Sequence, residues 1–289
     1  MNNIEIDILK KLKRKLLEVN PSIQDLDFGS TIFPNSEKAQ QYYLFDKTNN
    51  LFESPNADLN LGFGVEALRS SAAMIFNLLG QNALRINNID FEPPKYEYEF
   101  PAIKNVKNSK HNAHLDAVLF SKDGNCMYAI EAKLLEWINS PKNLSPAYLN
   151  SEMYLECNLC QETFNNFFNE YMVPKTDNKG RYCHKQERYD AIQMTIHILA
   201  LYNACCEKDN LPKNISLYNV VWKYDCDYYR TEEKEAKEFM ANANKTFRPL
   251  FKKKGYEFIV AYKTFQEFKE MIDFSDDLDR EIYLKRYEM

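Results

Sequence analysis

Residues 114–137 read HLDAVLFSKDGNCMYAIEAKLLEW, two apolar-rich runs on either side of an Asp-Gly pair. Asp-Gly between such runs is a strong hairpin signal, so strands are expected over 113–120 and 126–135, with Asp123-Gly124 at the turn. Side chains on a strand alternate faces. Ala129, Glu131 and Lys133 then share one face, as do His114, Asp116 and Val118 on the partner strand. Folding the hairpin about its turn without a bulge sets Asp116 opposite Glu131.

Charges inside apolar strands cost desolvation energy unless something pairs or uses them. Two carboxylates brought together repel, and a cation between them removes the repulsion. Mg2+ suits the position, because it takes oxygen ligands at about 2.0–2.1 Å and keeps several waters. The backbone carbonyl of Ala132 is a candidate third ligand, and Lys133 is placed to orient or deprotonate a water and to stabilise negative charge. A metal, a water and an ammonium at one point are what phosphodiester hydrolysis requires. The same three charges also describe a solvent-facing salt bridge between neighbouring strands, and the triplet alone leaves both readings open.

The rest of the chain supplies a frame. Ile4, Ile8, Leu12 and Leu16 mark an amphipathic helix over 3–19. Residues 20–60, rich in Pro, Asn and Asp, read as loop. The run LGFGVEALRSSAAMIFNLLG at 61–80 predicts a helix over 62–79, with Val65, Leu68, Ala72, Ile75 and Leu79 inward. A strand is expected over 95–103, and after the hairpin an insertion over 136–185 with a helix near 147–172 followed by a polar loop. A helix over 187–206, a strand over 216–224, a helix over 231–248, a strand over 256–262 and a helix over 264–272 complete the order. This is an α/β sandwich: a mixed sheet flanked by helices. The 289 residues, 45% hydrophobic with 19 Tyr and 19 Phe, suffice for a sizeable core.

Asp116, fourteen intervening residues and then Glu131-Ala132-Lys133, set in the order α-β-β-β-α-β, resemble the signature of the PD-(D/E)XK nuclease superfamily. The resemblance spans about residues 62–224, and Leu115 stands where that family often has Pro. It implies a restriction-endonuclease-like core over 61–289 carrying the insertion, preceded by an extension over 1–60. It implies a Mg2+-dependent endodeoxyribonuclease, with Mn2+ as a substitute, leaving 5′-phosphate ends. Asp116, Glu131 and the Ala132 carbonyl would hold the metal, and Lys133 would assist the water. Many members carry a Glu on the first core helix; Glu66 fits that place, or is a first-turn acid complementing the helix dipole. Some carry a Gln on the helix after the third strand, and Gln193 fits, in line with Tyr189 and His197 at i−4 and i+4; a polar edge of a packed helix is the other reading. Restriction defence is the expected role, with DNA as partner and a homodimer for cutting both strands. A DNA repair or recombination nuclease, or a non-catalytic protein- or DNA-binding member of the fold, are the alternatives.

Other chemistries find less support. Cys157, Cys160, Cys183 and His184 would make a zinc or iron–sulfur site only awkwardly, because one pair lies within a helix and the other two are adjacent. Seven cysteines, an odd number, do not read as a disulfide framework. No framed nucleophile or phosphate loop occurs. With 37 basic and 42 acidic residues the net charge is −5, which argues against a nonspecific nucleic-acid coat but not against a local basic groove. The clusters at 10–15, 104–111 and 251–255 each read as solvated surface. No apolar run is long enough to span a membrane and no signal peptide is apparent, so a cytoplasmic location is the default expectation.

Overall fold

The computed structural model describes residues 3–20, 68, 70–80, 83–100, 113–139, 158–174, 182–207 and 211–288. Helix α1 (Asn3–Val19) buries Ile8, Leu9, Leu12 and Leu16, as its 3–4 residue spacing requires. Helix α2 (Ser71–Leu79) starts nine residues later than the sequence pattern predicts. Ser70 is extended and its side chain accepts from the Ala73 N–H at 3.1 Å, so the helix is capped there. The other end is held by buried Arg280, which donates to the carbonyls of Asn77 and Gly80 at 2.8 and 2.6 Å.

A short hairpin follows, β1 (Leu84–Ile86) and β2 (Ile89–Phe91), absent from the sequence-based order. Its two turn residues, Asn87 and Asn88, both have positive φ, the geometry of a tight hairpin turn for which Asn is suited. Then come β3 (Lys95–Phe100), β4 (Ala113–Phe120) and β5 (Cys126–Lys133). The expected turn is present: Asp123 accepts from Ser121 Oγ, the Asn125 N–H and the Asn125 side chain, and Gly124 adopts φ 71°.

Within the insertion, α3 (Asn158–Tyr171) is followed by a strand pair, β6 (Met172–Pro174) with β7 (Tyr182–His184), where a polar loop was expected. The remaining elements are α4 (Ala191–Glu207), β8 (Asn214–Val221), α5 (Asp227–Lys253), β9 (Glu257–Thr264), α6 (Phe265–Lys269) and α7 (Leu278–Leu284).

The main sheet runs β3-β4-β5-β8-β9. Its first three strands are antiparallel, and β5, β8 and β9 are parallel, so the sheet is mixed. Helices cover both faces. Ile130 and Val220 point toward a layer with Leu12, Met74, Phe76 and Phe268. Ala129, Leu217 and Val260 point the other way, toward Phe164, Ile198, Phe239 and Phe247. Among the described residues no helix is long and apolar enough to cross a membrane.

Two polar devices tie α5 to β9. Asn244 brackets Val260, donating to its carbonyl at 2.7 Å and accepting from its N–H at 3.0 Å. Glu232, buried, accepts from Tyr262 Oη at 2.9 Å, and Tyr229 Oη lies 3.1 Å from the same hydroxyl. Burial pushes the Glu232 carboxyl up to about 8, although the Tyr262 bond opposes the shift.

A carboxyl raised on folding lends stability below its unfolded pKa and loses it as pH climbs to the folded value. Relative to Glu232→Gln, the wild-type protein is therefore expected to lose up to roughly 4 kcal/mol between about pH 4.5 and 8, at about 1.36 kcal/mol per pH unit. Urea unfolding measured across pH checks this. Identical pH slopes in the two proteins would assign the titration elsewhere.

Candidate functional site

The hairpin pairs in the register expected from its turn: Ala117 faces Ile130 and Phe120 faces Met127. The ladder ends at Ala117. Here Leu115 and Val118 bury into the same layer while Ala117 turns to the other, which strict alternation forbids. Tyr96 and Tyr98 on β3 divide in the same way, although β3 and β4 stay in register, so the two strands coil together at Asp116. Beyond the coil a side chain replaces the backbone partner: the Ala132 N–H donates to Asp116 Oδ2 at 2.6 Å. Among the described residues no hydrogen bond reaches the other oxygen of Asp116.

Glu131 is only 3% exposed and faces α4. Asp190 accepts from the Gln193 N–H at 2.9 Å and so caps α4, which fixes the first turn of the helix over the sheet. The preceding loop is held by Glu235 of α5, whose carboxylate accepts from the N–H groups of Glu187, Arg188 and Tyr189. From that platform Gln193 Nε2 donates to Glu131 Oε1 at 2.7 Å, and Gln193 Oε1 accepts from Lys133 Nζ at 2.8 Å. Lys133 Nζ closes the ring on Glu131 Oε1 at 2.6 Å. One helical turn on, His197 Nε2 lies 3.1 Å from Glu131 Oε2. That ring nitrogen is close enough to interact electrostatically but is not aligned as a hydrogen bond.

Two residues of this neighbourhood are not among the candidates that the sequence pattern singles out. Asn219, buried on β8 opposite Glu131, donates to the Glu131 carbonyl at 3.2 Å; an Asn inside the otherwise apolar run SLYNVV was its signal. Glu136 follows the end of β5, in a 3-10 turn over Glu136–Ile138. It accepts from the Leu134 and Leu135 N–H groups at 2.7 and 2.9 Å and from Ser71 Oγ, the first residue of α2, at 2.9 Å. Exposed acids follow many strands, so its signal in the sequence was weak.

The charges interact strongly. Burial would raise the Glu131 carboxyl, but Lys133 and then His197 more than offset it and hold Glu131 at about 2. Burial opposes the Lys133 ammonium, yet Glu131, Glu136 and Asp116 together keep it protonated well above the ordinary lysine range. Asp116 goes the other way: burial, and then the Glu131 carboxylate, push it well above its usual value. A divalent cation bridging Asp116 and Glu131 would relieve that repulsion, and two carboxylates with a backbone carbonyl form a donor set that fits Mg2+. Glu131 is less ready, because Oε1 already carries Lys133 and Gln193.

The other expected positions divide. Glu66 lies outside the described residues. Cys157 also lies outside them, Cys160 falls within α3, and Cys183 is a free thiol on β7. His184 faces Asp190, 3.5 Å away. Among the described residues no three His, Cys, Asp or Glu side chains are grouped to hold a metal. The chain matches no family model, no curated protein and no solved structure.

Asp116→Asn removes the repulsion with Glu131 and keeps an oxygen for the Ala132 N–H. Without divalent ions at pH 7 it is expected to be more stable than wild type by on the order of 1 kcal/mol, about 2–4 °C in melting midpoint. Added Mn2+ should raise the midpoint of wild type and leave the variant unmoved. A destabilised variant would mean that the charged bond to Ala132 outweighs the repulsion.

Proposed function

We propose that this chain is a divalent-cation-dependent DNA endonuclease with a restriction-endonuclease-like fold, of the PD-(D/E)XK type. One observation carries the reading: Lys133 Nζ sits between Glu131 and Gln193 at 2.6 and 2.8 Å, where β4 and β5 separate and Asp116 turns its carboxylate onto the Ala132 N–H. The order α2, β3, β4, β5, α4, β8 supports it, with the β1–β2 hairpin and the α3 region as insertions.

Asp116, Glu131 and the Ala132 carbonyl would hold Mg2+, which when bound supplies a Lewis acid for the phosphate and an activated water. Lys133, kept protonated by three carboxylates, acts as a fixed cation that stabilises the charge developing on the phosphoryl oxygens. In this state it does not serve as the base that takes a proton from water. Gln193 gives the ammonium a second acceptor, so that Lys133 keeps one partner if Glu131 turns toward a metal. His197 flanks the second Glu131 oxygen and limits its rotation. Restriction-type defence is the context in which we place this chemistry.

A second reading, a non-catalytic binding protein on this architecture, draws on the engagement of both Glu131 oxygens: an ion pair within β5, closed over by Gln193 and His197 of α4, stabilises a fold without any catalysis.

Plasmid nicking with Mg2+ or Mn2+ separates the two. Lys133→Ala is expected to lower the cleavage rate by about 10²-fold or more, and Asp116→Ala to abolish it. Cleavage that survives Lys133→Ala unchanged, or none by wild type on any DNA, favours the second reading.

A further inference from the structure

A second feature lies at the same end of the sheet. Residues 10–15 of α1 hold five cations, Lys10, Lys11, Lys13, Arg14 and Lys15, in a chain whose net charge is −5. With Ile8, Leu9, Leu12 and Leu16 buried, the helix turns Lys11, Arg14 and Lys15 into a cleft of about 710 Å3, completed by Tyr224, Asp225 and Glu288. The floor is rigid. Lys11 lies over the Tyr224 ring at 4.8 Å and donates to its hydroxyl, that hydroxyl donates to Asp7, and Trp222 stacks against the ring at 5.9 Å.

Lys11 is paired with Asp7 at 3.0 Å, which leaves Arg14 and Lys15 as the cations able to take an anion. Asp225 is committed to Arg230, and Glu288 to Lys269 at 2.7 Å. Among the described residues Arg14 and Lys15 meet half-exposed Glu18 alone, at 3.6 and 3.2 Å. Exposed pairs of that kind are worth little and are readily exchanged for a phosphate.

The cleft is also placed to serve the site. The Trp222 N–H donates to the carbonyl of Lys133 at 2.8 Å, so the segment that carries Tyr224 leaves the sheet beside the Lys133 ammonium's own strand end. The α1 side and the Lys133 side belong to opposite layers of the sheet and lie at the same strand ends.

We propose that the α1 cleft is a track for the phosphate backbone of duplex DNA, leading into the Asp116–Glu131–Lys133 site. The choice of DNA over other polyanions rests on the nuclease reading; the binding itself is measured apart from it.

The experiment is fluorescence anisotropy with a labelled 30-base-pair duplex in EDTA over a salt series. It compares wild type, Arg14→Ala/Lys15→Ala, and the control Lys252→Ala/Lys253→Ala at the far end of α5, each checked for an unchanged melting midpoint. The α1 variant is expected to bind at least about 10-fold more weakly at low salt, with the slope of log K against log salt shallower by about 2, the value for two lost phosphate contacts. The control should match wild type. Equal affinity and slope in wild type and the α1 variant overturn the track, even if wild type cleaves DNA. No duplex binding by wild type overturns it as well. A selective loss of binding in a protein that shows no cleavage supports the track while the nuclease reading falls. A parallel titration with phosphatidylserine vesicles overturns DNA as the occupant if the vesicles bind more tightly than the duplex and lose affinity in the same variant.

Discussion

A carboxylate as buried as Glu131 persists in a protein interior only if its charge is met from several sides. Here Lys133 comes from its own strand, Gln193 and His197 from a helix across the layer. The consequence runs outward. Gln193 is in position because Asp190 caps α4, and the loop before α4 holds its path because Glu235 of α5 collects three of its N–H groups. The polar centre and the docking of two helices on the sheet are therefore one arrangement, and a change at either is felt at the other.

The balance of charge at this centre is uneven. One ammonium serves Glu131 closely and is shared at longer range with Asp116 and Glu136. Asp116 receives the least relief, which is why its carboxyl and that of Glu131 shift in opposite directions although they sit on adjoining strands. Sites built for function often keep such unresolved repulsion, and the fold tolerates it because the surrounding core is well packed.

The hairpin was legible in the sequence, since Asp123-Gly124 set its turn and the turn sets the register down to Ala117 opposite Ile130. The approach of Asp116 to the Glu131 strand followed from the same arithmetic. What arithmetic could not supply was the coil at Asp116, which arises from the twist of two strands pressed between helical layers, a tertiary effect. The start of α2 was misjudged because apolar spacing continues through Val65 and Leu68 while a local cap at Ser70 decides where the helix begins. The β1–β2 and β6–β7 pairs were missed because three-residue strands are too short to show a period. Glu136 escaped because its partners, two backbone amides and Ser71, are brought to it only by folding.

Asn244 has a bearing on assembly. The outermost strand of a sheet offers its amides to any extended segment that drifts alongside. On β9 the side chain of Asn244 already answers both backbone groups of Val260. A second molecule approaching from that flank finds the template interrupted at its middle, so association there would proceed through side chains against α5 and not by lengthening the sheet.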